Sequence, residues 1–190
     1  MVEFKKVSFE QFLKDCNGLQ AASAMWFASE DEIRQYYDAI PLPRRATSGS
    51  AGYDFYMPFP ASFITLSPVM IPTGIRVILE PGQFLMCVPR SGLGFKYSMG
   101  LVNTLGIIDS DYAFSENEGH IMAKIDTGVP FKLNTGDRFM QGIILNYSVA
   151  DHDRPIKKSR NGGFGSTGGA GQLEGQICID DILSEGGQTI

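Results

Sequence analysis

The apolar positions of this chain fall into two regimes. Through residue 40 they recur at helical spacing. Phe9, Phe12, Leu13 and Cys16 stand at i, i+3, i+4 and i+7, and they follow Ser8-Phe9-Glu10-Gln11, which has the form of a capping box. Ser29-Glu30-Asp31-Glu32 repeats the signature ahead of Ile33, Tyr36, Tyr37 and Ile40, and Pro41 and Pro43 end the helical run. This predicts two short amphipathic helices whose apolar faces pack on the domain that follows or on a neighbouring subunit. From Ala46 onward the apolar runs shorten, with Gly, Pro, Asn and Asp between them. Residues 75–79 and 84–88 flank Pro81-Gly82 and predict a hairpin. Further runs at 106–108, 121–125, 139–149 and 176–179 complete a set of short strands. Such a set suggests a sandwich or jelly roll. There is no internal repeat.

Composition narrows the class. The chain has 190 residues, 43 % hydrophobic and 19 % charged, which suits one domain with a modest extension and a core that needs no disulfides. The boundaries suggested are a helical extension over 1–44, a β domain over 45–156 and a Gly-rich arm with a C-terminal segment over 157–190. Sixteen Lys and Arg against 21 Asp and Glu give a net charge of −5, a poor basis for nucleic-acid binding, which needs clustered positive charge. A small anion can still be held locally by backbone N–H groups and a few Arg. Cys16, Cys87 and Cys178 are widely spaced with no C-x-x-C pattern, which points to reduced thiols in a cytoplasmic protein. Residues 1–16 carry charges throughout, so no signal peptide is expected, and no apolar run approaches a membrane span. Glycine is in excess at 22 residues, and six of the ten residues over 162–171 are glycine. By composition alone that stretch is a linker.

Five segments carry candidate chemistry. In chain order they are Ser50-Ala51-Gly52-Tyr53-Asp54-Phe55, Pro89-Arg90-Ser91-Gly92-Leu93-Gly94, Gly106-Ile107-Ile108-Asp109-Ser110-Asp111-Tyr112, Gly136-Asp137-Arg138-Phe139-Met140-Gln141 and Arg160-Asn161-Gly162-Gly163-Phe164-Gly165-Ser166-Thr167-Gly168. Singly, each has a plain explanation: a turn glycine, a solvated acid, a structural salt bridge. Together and in this order they resemble the five motifs of the trimeric dUTPase (deoxyuridine 5′-triphosphate nucleotidohydrolase) family, over about residues 46–168.

That resemblance implies a fold, a reaction and a set of roles. The implied fold is all-β, an antiparallel jelly roll or distorted β-barrel, with the helical N-terminal extension and a mobile Gly-rich C-terminal arm. The implied assembly is a homotrimer whose active sites are shared between subunits. The implied reaction is hydrolysis of dUTP to dUMP and pyrophosphate, which limits uracil incorporation into DNA and supplies dUMP for thymidylate synthesis. Mg²⁺ would be held by substrate phosphates and water, with no direct protein ligand. Asp109 matches the acid that orients and deprotonates the attacking water. Arg90, Ser91 and Gly92 match the phosphate loop, and Gln141 matches the amide on the α-phosphate. Arg160, Ser166 and Thr167 would meet the β- and γ-phosphates. Asn103 matches a uracil-contacting amide, Tyr112 the ring beneath the deoxyribose, and Phe164 the aromatic stacked on uracil. Asp54 matches the acid that orders the Arg and the magnesium water shell. Asp111, two residues beyond Asp109, would share its face in an extended hairpin and is given a structural role.

Three features depart from the family pattern. Residues 113–117 look like an insertion after Tyr112, and the Arg-Gly that usually follows the Tyr is missing. Arg160 precedes Phe164 by four residues, where many members have five. Both termini are longer than the minimal enzyme. Two other functions stay open at this point: a dCTP deaminase of the same fold, and a regulatory protein-binding module gated by nucleotide, for which the N-terminal helices and the insert are the motive.

Overall fold

The computed structural model describes residues 1–21 and 27–154, so the predictions for residues 160–168 and 176–179 lie outside the described residues. Twelve strands are formed among them: β1 Glu3–Lys6, β2 Arg44–Arg45, β3 Tyr53–Tyr56, β4 Ala61–Phe63, β5 Val69–Pro72, β6 Ile75–Ile78, β7 Gln83–Pro89, β8 Gly100–Leu101, β9 Gly106–Asp109, β10 Met122–Asp126, β11 Phe131–Leu133 and β12 Arg138–Asn146. Three helices interrupt them: α1 Phe9–Ala21, α2 Glu30–Ala39 and α3 Ser91–Tyr97, with a 3-10 turn at Tyr112–Phe114. None of the helices among the described residues is long and apolar enough to cross a membrane.

The strands make a five-stranded sheet in the order β2-β3-β12-β7-β9, a three-stranded sheet β5-β10-β8, and the pairs β1-β6 and β4-β11, all antiparallel. This is the expected all-β arrangement. Period-two alternation explains which faces meet. In β10 Ala123 and Ile125 are buried while Lys124 is exposed, and β4 and β11 follow the same in-out-in order. Phe55, Phe59, Phe63 and Phe139 are fully buried in the resulting core, together with Phe12 of α1.

Both predicted helices are present, and their caps show why. The Ser29 side chain accepts from the Glu32 backbone N–H at 3.2 Å, and the Ser8 hydroxyl accepts from Gln11 N–H at 3.1 Å. The extension is not only helical, since β1 precedes α1 and pairs with β6. That pairing corrects the predicted hairpin. β6 and β7 are consecutive strands, but β6 bonds to β1 while β7 lies between β12 and β9 in another sheet. Alternation identifies a strand; it does not identify the partner, and here the chain crosses between sheets at Pro81-Gly82.

β12 contains the irregularity that matters for the site. Its register with β3 shifts between Arg138 and Met140, so Phe139 is an extra residue and both Phe139 and Met140 face the core.

Candidate functional site

Asp54 sits at the centre of a charged cluster. It lies on β3 opposite Gln141 of β12, and only 7 % of it is exposed. Its Oδ1 meets Arg90 Nε at 3.1 Å and its Oδ2 accepts from Arg138 Nη1 at 3.1 Å. A buried carboxylate needs such compensation, and two guanidinium groups supply it. The bulge makes the arrangement. The extra Phe139 offers its carbonyl to Arg90 N–H at 3.3 Å, tying the end of β7 to β12. Arg138, one residue before the bulge, pairs with Tyr56 and reaches Asp54. Sequence reasoning gave Arg138 no role, because its reach depends on a bulge that no apolar pattern announces.

Gly52 completes this part. A Cβ there would lie 2.3 Å from Gln141 Oε1, so the missing side chain is the space that the Gln141 amide occupies. Arg45 Nη1 donates to the carbonyls of Ser48 and Ser50 and orders the loop leading to Gly52. Arg44, Arg45, Tyr56, Asp137 and Arg138 line a recess of about 460 Å³ beside Asp54. Its cations outnumber its anions, which suits an anionic ligand.

Arg90 is the residue before α3, and Ser91 and Gly92 open that helix in exposed positions. The first N–H groups of a helix have no intrahelical partner and can face a ligand. The other end of α3 is fixed. The Tyr97 ring stacks on Phe131 with centroids 4.4 Å apart, and Phe131 stacks on Phe63 at 4.8 Å. The Tyr97 carbonyl accepts from Thr127 Oγ1 and from the N–H groups of Gly128 and Val129. α3 is therefore held at its back, and Ser91 and Gly92 stay open at its front.

Asp109 ends β9 and pairs with Phe84 at the far end of β7. With Phe84, Ile107 and Tyr147 it lines a shallow cleft of about 250 Å³. Ile107 and Tyr147 are each about half exposed, an apolar rim that one chain alone leaves in water. The chain then turns at Ser110 and Asp111. Asp111 is helical (φ −81°, ψ −14°) and precedes the Tyr112–Phe114 turn. This corrects the extended hairpin predicted for it, and Asp111 does not continue the strand face of Asp109. Asn103 is exposed in the tight connection between β8 and β9, where Leu105 N–H donates to its carbonyl at 2.7 Å.

One chain does not bring all these groups together. From Phe84, opposite Asp109, to Arg90 is six residues along β7, roughly 20 Å of extended chain. Asp54, Arg90, Arg138 and Gln141 lie at one end of β7 and Asp109 at the other, followed by Tyr112; Asn103 precedes Gly106, which pairs with Cys87, so it lies at the opposite end of β9 from Asp109. Arg160, Phe164, Ser166 and Thr167 fall outside the described residues. Among the described residues no group of three or more His, Cys, Asp or Glu is arranged to hold a metal ion.

Comparison with known proteins gives a consistent result. A family model described as dUTPase matches residues 38–168. The deoxyuridine 5′-triphosphate nucleotidohydrolase of Lactococcus lactis is 36 % identical over 141 residues, covering 72 % of this chain and 94 % of that protein. The enzyme of that name from Hahella chejuensis is 39 % identical over 140 residues, covering 68 % and 88 %. The crystal structure of the dUTPase from Streptococcus mutans superposes with a TM-score of 0.53 at 33 % identity, over 58 % of this chain and 88 % of that one. The dUTPase from phage phi11 of S. aureus shares the fold at 14 % identity with a TM-score of 0.55, over 83 % and 97 %.

Proposed function

This chain belongs to the dUTPase family and is a dUTP diphosphatase; from that premise we propose how its residues divide the reaction. Asp109 orients a water molecule and takes its proton as the water attacks the α-phosphorus. A carboxylate is a weak base in bulk water, so its gain comes chiefly from placement. Pyrophosphate leaves and dUMP remains. Arg90, Ser91 and Gly92 hold phosphate oxygens at the front of α3, and Gln141 contacts the α-phosphate from the neighbouring strand. Asp54 keeps Arg90 in place. Arg160, Ser166 and Thr167 take the outer phosphates, and Phe164 covers uracil. Asn103 reads the uracil edge, and Tyr112 lies below the sugar.

The observation that carries this reading is the convergence of Arg90 and Arg138 on Asp54, with Gln141 opposite it on β12, which gathers residues of three of the five segments. The roughly 20 Å between that cluster and Asp109 is too long for both to serve one substrate in a single chain. It supports sites shared between subunits of a homotrimer. Mg²⁺ fits this donor set as a substrate-borne ion. Both Asp54 oxygens already serve guanidinium groups, so Asp54 can order the water around an ion held by phosphates rather than bind it directly. When bound, the ion would neutralise charge developing on the leaving pyrophosphate. The unpaired thiols of Cys16 and Cys87 agree with a cytoplasmic location.

Substitution tests the central role. Asp109→Asn should bind a non-hydrolysable dUTP analogue with near wild-type affinity and lose at least about 100-fold in kcat. Full pyrophosphate release by that variant would remove Asp109 from the mechanism. A second reading adds a regulatory protein partner. It is favoured by Phe114, 75 % exposed in the 113–117 insert that directly follows the Asp109 turn. A pull-down with and without the analogue, using wild type and Phe114→Ser, tests it; no nucleotide-dependent, Phe114-dependent partner would reject it.

A further inference from the structure

The 113–117 insert and the N-terminal extension meet behind the catalytic turn, and the contacts are specific. Tyr112 is 3 % exposed. Its hydroxyl donates to the His120 carbonyl at 2.9 Å and accepts from Asn117 Nδ2 at 2.8 Å. Its own carbonyl accepts from Ser115 Oγ at 2.7 Å. Four of these residues, 112, 115, 117 and 120, therefore fold back on one another as a closed loop. Gly119 permits the closure. It has φ +71°, and a Cβ there would stand 2.6 Å from Ala113 Cα and 2.7 Å from the Tyr112 carbonyl oxygen.

Helix α1 holds the same loop from outside. Glu118 accepts from Ser8 N–H at 2.8 Å and from the Ser8 hydroxyl at 2.5 Å. In a capping box a side chain of the helix itself fills that role; here Gln11 turns to Asp15 instead, and Glu118 substitutes for it. His120 is fully buried. Its Nε2 accepts from Gly74 N–H at 2.8 Å, so its proton sits on Nδ1 and is donated to Asp15 Oδ2 at 2.5 Å. Arg76 donates to the Ala113 carbonyl at 2.5 Å from β6, the strand that β1 pairs with.

We propose that α1 and the insert act together as a positioning element for the reaction: Ser8 and Asp15 lock Glu118 and His120, and the locked loop, through Asn117 and the His120 carbonyl, sets the height of the Tyr112 ring under the sugar and the direction in which Asp109 leaves β9. Asn117 and Asp15 are positioning residues in this scheme, since neither reaches the substrate. The proposal rests on the reading of Asp109 as the water-activating acid and of Tyr112 as the sugar platform. Its consequence is chemical. A ring that sits at a fixed height excludes a 2′-hydroxyl; one that can drop admits it.

The test is the ratio of kcat/KM for dUTP to that for UTP, measured on the full chain. A ratio taken on one preparation does not depend on how much of it is folded, so loss of stability alone leaves it unchanged. Asn117→Ala should lower kcat/KM for dUTP about tenfold, chiefly through kcat, and lower the ratio by about the same factor. Asp15→Ala should act in the same direction, and Asp15→Asn, which keeps an oxygen for His120 Nδ1–H, should restore most of the ratio. If Asp15→Ala fails to fold, Asn117→Ala decides. An unchanged ratio in Asn117→Ala overturns the proposal whatever the melting temperature does. Asp109→Asn, assayed alongside, separates the two failures. Its inactivity with an unchanged Asn117→Ala ratio rejects only the positioning element, whereas its full activity removes the reading beneath it.

Discussion

Gly52 shows how one residue without a side chain makes room for another. It lies two positions before Asp54, and the Gln141 amide fills the volume a methyl group would take. Gly52→Ala has no backbone penalty of the left-handed kind, so its effect falls on the amide. It should raise KM for dUTP or lower kcat/KM by about tenfold while the thermal midpoint stays within a few degrees. Steady-state kinetics with a parallel melt checks this, and unchanged kinetics would mean that the Gln141 amide makes no useful phosphate contact. Cys16 and Cys87 lie at the other extreme. Burial pushes both thiols up to about 12, so they stay protonated and act as small apolar residues.

The elements divide into those that announce themselves and those that do not. α3 depends on the stack of Tyr97 on Phe131. Tyr97→Ala should cost about 1–3 kcal/mol in denaturant midpoint at constant slope and weaken phosphate binding as α3 loosens. α1 depends on acids. Burial pushes the Asp15 and Glu118 carboxyls up, but hydrogen bonds from His120 and Gln11 to Asp15, and from Ser8 to Glu118, outweigh it, and both titrate below their ordinary values of 3.8 and 4.5. A lowered folded-state value means stability that is fully present above those ordinary values and is lost as pH falls below them through the lowered range. The docking of α1 should hold from pH 7 to about 5 and weaken below about 4. Hydrogen exchange of α1 amides across that range reads it, and an Asp15→Asn, Glu118→Gln double variant should flatten the acid limb. Helices α1 and α2 were legible because each couples a capping serine to a 3.6-residue apolar period. β1 was not: Glu3-Phe4-Lys5-Lys6 is too short and charged to register, and only β6 makes it a strand. The Asp54–Arg90 pair was legible from motif resemblance. The Arg138 contact and the bend at Asp111 were not, because a bulge and a turn are set by neighbouring backbone rather than by side-chain period.

At the scale of the molecule, the proposed sharing of sites between subunits has a direct test. Arg90→Ala and Asp109→Asn should each be nearly inactive alone. Unfolded together and refolded as mixed trimers, they should regain activity in about a quarter of the sites, since each site then draws Arg90 and Asp109 independently from two chain types. No recovery in assemblies shown by mass spectrometry to be mixed would place both residues in one chain's site.

The bond between Ser8 and Glu118 joins positions 110 apart in sequence. During synthesis, at about 5–20 residues per second, helix α1 therefore waits roughly 5–20 s on the ribosome for the residue that completes its first turn. Until then the Ser8 hydroxyl caps Gln11 alone, Ser8 N–H lacks its carboxylate, and the apolar face has little of the β domain to lie on. The first helix made is thus among the last to be secured, and its docking marks a chain in which the turn after β9 has already been built.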